Sequence, residues 1–89
     1  MKRRYLVTGV VQGVGFRYFT RRAAHRLGLG GWVRNLPDGR VEAEAVGPPA
    51  VLGQFEAELR RGPTGGRVTN LQIEEIPDDG LEPTSFEIR

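Results

Sequence analysis

The stretch GVVQGVGFR, Gly9 to Arg17, holds the residue types needed to grip an oxyanion. Gly9, Gly13 and Gly15 allow positive φ and close approach by a ligand, so that successive backbone N–H groups turn into one concavity. Arg17 follows with a planar, permanently charged donor fork that matches two phosphate oxygens at once. The same residues admit a plainer reading, in which Gly13 and Gly15 make a tight turn and Arg17 extends into water. Two common phosphate motifs are excluded. The Gly-Lys-Ser/Thr ending of a P-loop is missing, and no third glycine follows Gly15 at the spacing of a dinucleotide fingerprint.

The elements around the stretch say where such a loop would sit. RYLVTGV (Arg4–Val10) is rich in β-branched and aromatic residues and predicts a strand ending in the glycine loop. From Phe16 the period changes: Phe16, Phe19, Ala23, Ala24 and Leu27 fall at helical spacing, Arg21, Arg22, His25 and Arg26 lie largely opposite, and Gly28 is the stop. This helix has no Ser, Thr, Asp or Asn directly before Phe16, so its first N–H groups lack a side-chain cap. A bound phosphate would supply one. Arg17 opposes the helix dipole by about 0.3–1 kcal/mol, and Arg21 one turn on adds like-charge repulsion. A local rule broken in this way marks a candidate functional site.

Further along, Pro-Asp-Gly turn chemistry in LPDG separates Trp32–Leu36 from Arg40–Val46, which predicts a hairpin whose first strand ends at Asn35. Pro48 and Pro49 open a second helix with Val51, Leu52, Phe55 and Leu59 on one face and Arg60, Arg61 and Gly62 at its end. RVTNLQIEEI and TSFEIR read as closing strands, the first changing phase between Val68 and Leu71 as a bulge would. The order strand, helix, strand, strand, helix, strand is the ferredoxin-like split βαβ plan, an α+β fold with two helices on one face of an antiparallel sheet. The loop after the first strand then lies at an end of the sheet, where it can meet a ligand.

Composition narrows the function classes. A chain of 89 residues predicts a single domain over residues 1–89. Without cysteine there is no disulfide, zinc–thiolate site or thiol nucleophile. The N-terminus MKRRYLVTGVVQG alternates and lacks the long apolar region of a signal peptide or spanning helix, so no membrane association and a cytoplasmic location are expected. The net charge of +2 hides an asymmetry, since Asp38 is the first acidic residue. Either the first half builds an anion-binding face, or the two halves neutralise each other on folding.

The segment GVVQGVGFR followed by GWVRNLPDGRVEAEAVG closely resembles the two signature segments of the acylphosphatase family, in the same order and with compatible spacing. The resemblance implies hydrolysis of a small-molecule acyl phosphate to a carboxylate and inorganic phosphate, with neither metal nor cofactor. It implies that Arg17 binds the phosphate, that Asn35 orients the attacking water, and that the backbone of Gln12, Gly13, Val14, Gly15 and Phe16 forms the cradle. Inorganic phosphate or sulfate would inhibit, and the protein would act as a monomer. The chemistry of the side chains agrees. An asparagine amide accepts with its carbonyl and donates with its NH2, but cannot act as a base near neutral pH. Neither segment supplies an obvious general acid, which handicaps phosphate esters but not a carboxylate leaving group.

The remaining conspicuous residues have structural readings. His25 is expected at the surface, Phe16, Phe19, Trp32 and Phe55 as core anchors, and Asp38 and Gly39 in the hairpin turn. Glu42, Glu44, Glu56 and Glu58 read as solvated faces, with no metal-ligand character. A nucleic-acid module with Arg21, Arg22 and Arg26 as a phosphate track is the main rival; it requires exposed stacking aromatics on the sheet, and its third strand carries acids and alanines in RVEAEAV instead of a Lys/Arg-Gly-aromatic signature. No nucleic-acid partner is therefore expected. A second rival is a binding or transfer module that retains the acyl-phosphate pocket, as in the acylphosphatase-like domains of carbamoyl-transfer maturation proteins. The short chain argues against it, and turnover separates the two.

Overall fold

The structure, a computed structural model, describes residues 1–80, 83 and 85–89. Its elements run β1 (Lys2–Val10), α1 (Phe16–Leu27), β2 (Gly30–Asn35), β3 (Val41–Val46), α2 (Pro49–Arg61), β4 (Arg67–Ile76) and β5 (Phe86–Ile88). Thr84, expected in the last strand, lies outside the described residues. Alternation decides which way each strand faces: Tyr5 and Val7 of β1, Val33 of β2 and Val41, Ala43 and Ala45 of β3 are buried beneath the helices. The helices complete that core with Phe16, Ala23 and Ala24 from α1 and Leu52, Phe55 and Leu59 from α2. Phe55 stands edge-on to Tyr5 at 5.6 Å and to Phe86 at 5.9 Å, so three elements meet on one ring.

The strand order is β4-β1-β3-β2-β5, with β3 antiparallel to both β1 and β2. β5 is the exception, adding to β2 in parallel. Because β1 and β2 flank β3 and both run against it, they point the same way, and so does β5. The loop after β1, the turn after β2 and the end of β5 therefore gather at one end of the sheet. The predicted bulge is present: Thr8 pairs with Asn70 and Gly9 with Val68, leaving Thr69 as the extra residue of β4. An added Cβ on Gly9 would lie 2.0 Å from the Arg67 carbonyl oxygen, so Gly9 serves this close strand crossing.

Several expectations change, both on the face turned away from the helices and on the helices themselves. Trp32 is no core anchor; it is half-buried on that face, with its indole N–H donated to Glu44 at 2.6 Å. Its neighbour Val33 takes the inward position because side chains alternate along a strand. Phe19 is likewise only partly buried, packed against Phe16 with the Arg61 guanidinium over its ring. Glu42 and Glu56 are not solvated. Glu42 is 3% exposed between the guanidinium groups of Arg4 and Arg34, and Glu56 is 8% exposed, accepting from Tyr5 and Arg3 at 2.9 and 2.8 Å. Desolvation pushes the Glu42 carboxyl up, but the hydrogen bonds from Arg34 and Arg4 outweigh it and hold the group below the usual range. Burial and the Glu56 carboxylate together drive the Tyr5 phenol upward. Lys2–Glu44 at 3.1 Å and Arg26–Glu58 at 2.7 Å complete a pattern in which the basic first half pairs with the acidic second half.

Candidate active site

Gly13 and Gly15 have φ of 76° and 77°, and Val14 between them has negative φ. Alternating hand along successive residues turns their N–H groups toward one point, which is the geometry of an anion nest. A Cβ built at either glycine meets nothing within 4 Å, so φ rather than crowding demands glycine there. Gly15 is also the N-cap of α1, with no side-chain cap bond and no acidic residue in the first turn. The first intrahelical bond is donated by Phe19 N–H to the Gly15 carbonyl at 2.9 Å. The N–H groups of Phe16, Arg17 and Tyr18 are therefore left without a partner inside the helix.

A cavity of about 160 Å³ opens against this end, lined by Val11, Gly13, Gly15, Phe16, Arg17, Tyr18 and Asn35. Five of the sequence-predicted positions thus meet: Gly13, Gly15, Phe16, Arg17 and Asn35. The other two, Gln12 and Val14, are expected to contribute backbone alone, and their side chains turn elsewhere: Val14 packs against the core, and the Gln12 side chain donates to the carbonyls of Leu36 and Arg40 in the β2–β3 turn. Among the described residues Arg17 has no Asp or Glu partner, and its Nη1 donates to the main-chain oxygen of Arg89, the last residue of the sequence, at 3.3 Å. Arg89 reaches it because β5 runs parallel to β2 and its N–H is tied to the Val33 carbonyl at 2.8 Å. Asn35 is half-buried, and its Oδ1 is buried with no hydrogen-bond partner. An orphaned carbonyl of this kind costs about 1–3 kcal/mol, which the fold tolerates at the edge of the nest.

The sequence reading missed Val11, Tyr18 and Arg89. Tyr18 carries a signal in retrospect, an aromatic beside Arg17 in a first turn that must face the loop; Arg89 carries none, because only topology brings it there. Among the described residues no carboxylate or imidazole side chain lines the cavity, and no three His, Asp or Glu side chains gather where a metal could sit. A larger cavity of about 560 Å³ lies on the face away from the helices, against Lys2, Trp32, Glu44, Glu87 and Arg89. Its groups are occupied by one another: Glu44 holds Lys2 and Trp32, and the Trp32 ring has Arg34 and Arg89 at 5.3 and 5.0 Å. Trp32 therefore offers no free stacking surface of the kind an RNA-binding sheet requires. No helix among the described residues is long and apolar enough to cross a membrane.

Comparison with known proteins follows the same lines. The family model described as acylphosphatase matches residues 3–88. An acylphosphatase of Koribacter versatilis is 54% identical over 97% of this chain and 77% of its own length. The crystal structure of acylphosphatase from Bacillus subtilis superposes with a TM-score of 0.92 at 38% identity, covering 99% of this chain and 97% of that one. HypF of T. kodakarensis contains a similar unit, with a TM-score of 0.85 and 34% identity over all of this chain but 12% of that protein. With almost its whole length matched in this way, the chain belongs to the acylphosphatase family.

Proposed function

We propose that the chain, as one acylphosphatase-like domain over residues 1–89, hydrolyses the carboxyl–phosphate bond of small acyl phosphates. The observation that carries this reading is the nest at Gly13–Gly15 opening on the same small cavity as Arg17 and Asn35. At about 160 Å³ the cavity is well below the roughly 300–1,000 Å³ of sites that enclose a drug-sized ligand. It takes the phosphoryl end and leaves the acyl group outside. Nest N–H groups and the Arg17 guanidinium bind the phosphoryl oxygens and stabilise charge that develops on them. Asn35 orients the water. Its amide can accept from the water through Oδ1, which has no other hydrogen-bond partner, and donate through its NH2.

The water oxygen attacks phosphorus, the bond from phosphorus to the carboxyl oxygen breaks, and its electron pair leaves on the carboxylate. A water proton passes to a phosphate oxygen. A carboxylate departs without protonation, so a cavity lined, among the described residues, by neither carboxylate nor imidazole side chains suits this leaving group and not an alkoxide. Positioning and electrostatics then supply the acceleration, with no metal or cofactor in any step. Phosphate and sulfate compete for the same nest, and one monomer holds the whole site. The test is turnover by purified protein in EDTA: acetyl phosphate should be hydrolysed, and glycerol 2-phosphate, whose leaving group is an alkoxide, should be a far poorer substrate. Equal rates on both, or activity that returns only with a divalent ion, would refute the reading.

A further inference from the structure

The Gln12 side chain has a task separate from the cradle its backbone belongs to. Its Nε2 donates to the Leu36 carbonyl at 2.7 Å and to the Arg40 carbonyl at 3.0 Å. These carbonyls sit on either side of the β2–β3 turn, and each already accepts a backbone bond that closes it. Leu36 N–H donates to Arg40 at 2.8 Å, and Gly39 N–H donates to Leu36 at 3.2 Å. One primary amide thus places both of its hydrogens on the base of the hairpin, the full donor capacity of the group. Among the described residues no other hydrogen bond joins the loop at 11–15 to the turn at 36–40.

The two ends of this connection are the two halves of the site. Gln12 stands between Val11, 1% exposed in the core, and Gly13, which opens the nest. Leu36 directly follows Asn35. We infer that Gln12 is a positioning residue: its amide fixes the β2–β3 turn, and with it Asn35, at a set distance from the phosphate nest. This rests on the proposed role of Asn35 as the water-orienting group. A reacting atom misplaced by about 1 Å loses on the order of 100-fold in rate, so a clamp of two short hydrogen bonds at this point acts on the chemical step. It does not act on the bound phosphate, whose donors lie on the other side of the connection.

The test uses Gln12→Ala and Gln12→Met, the second keeping length and apolar bulk while removing both donors. Each should lower kcat on acetyl phosphate by about 10–100-fold, while competitive inhibition by inorganic phosphate changes by less than about threefold. Hydrogen exchange at the Leu36 and Gly39 amides should quicken in both variants. That readout needs no activity, so it reports on the clamp even if the wild type failed to hydrolyse acetyl phosphate, a result that would instead refute the proposed function. Wild-type kcat in Gln12→Met, unchanged exchange at Leu36 and Gly39, or a loss confined to phosphate affinity would each overturn the inference.

Discussion

Arg17 and Asn35 line one cavity, and the proposed roles give them different partners that substitution should separate. Arg17→Ala removes the fork from the bound anion and should cost about 100–1,000-fold in kcat, together with most of the affinity for inorganic phosphate. Its fold should persist, since Arg17 has no Asp or Glu partner among the described residues and its charge opposes the helix dipole. Arg17→Lys should restore little, because a point charge cannot reproduce a two-toothed grip. Asn35→Ala should lower kcat by a comparable factor yet leave phosphate inhibition nearly intact, as expected for a group that acts on the nucleophile. Asn35→Asp replaces the NH2 donor by an acceptor and places a negative charge beside an anion. It should weaken phosphate binding more than Asn35→Ala does. Wild-type kcat in Asn35→Asp, measured near neutral pH, would mean that a carboxylate base serves as well as the amide.

The elements explain why a loop of glycines can do this. α1 begins without a side-chain cap, and the nest at its N-terminus leaves the N–H groups of its first turn pointing outward. Gly15 holds φ of 77° in open space, so Gly15→Ala adds no clash but about 1–2 kcal/mol of left-handed strain. Phosphate affinity and melting temperature should fall together. Gly53 of α2 supplies the contrast, a helical glycine also free of close neighbours, where alanine should stabilise by about 0.5–1 kcal/mol and leave activity unchanged. A Gly15→Ala variant with full phosphate affinity would show that the nest is not the binding element. Most of these boundaries were legible in the sequence, because glycines at 15, 28 and 62 and the prolines at 48 and 49 punctuate the helices. The bulge was legible as a change of phase. The side of the sheet taken by Trp32 was not, since Trp32 and Val33 are both apolar and alternation alone gives two solutions. The burial of Glu42 and Glu56 was hidden for another reason: Glu42 is matched by cations from β1 and β2 and Glu56, on α2, by Arg3 and Tyr5 of β1, and such contacts are tertiary facts. The half of the site that follows from the two signature segments was legible, whereas Tyr18, Arg89 and the direction of the Gln12 side chain depended on which elements end together.

At the scale of the whole molecule the charge asymmetry resolves into pairing between the halves. Glu42 is its centre, joining β1, β3 and β2 through Arg4 and Arg34. Its carboxyl sits below the usual range when folded, so its contribution is complete above the unfolded glutamate value of about 4.3 and disappears as pH falls through the folded value. Glu42→Gln should cost about 1–3 kcal/mol at neutral pH, and the gap to wild type should close in acid. Melting curves at pH 7 and pH 3 check this; a gap that stays constant would remove Glu42 from the acid response. The site is a different matter, since none of these pairs lines the cavity at Arg17 and Asn35, and Glu42→Gln should keep wild-type kcat.

The central claim is that water held by Asn35 attacks the phosphorus of an acyl phosphate seated in the nest. Hydrolysis of acetyl phosphate in water enriched with oxygen-18, with products read by mass spectrometry after a single turnover, tests it most directly. Attack at phosphorus puts one heavy oxygen in inorganic phosphate and none in acetate, and that is the predicted result. Heavy oxygen in the acetate would mean that water attacks the carbonyl carbon, and would contradict an account built on a phosphoryl-binding nest.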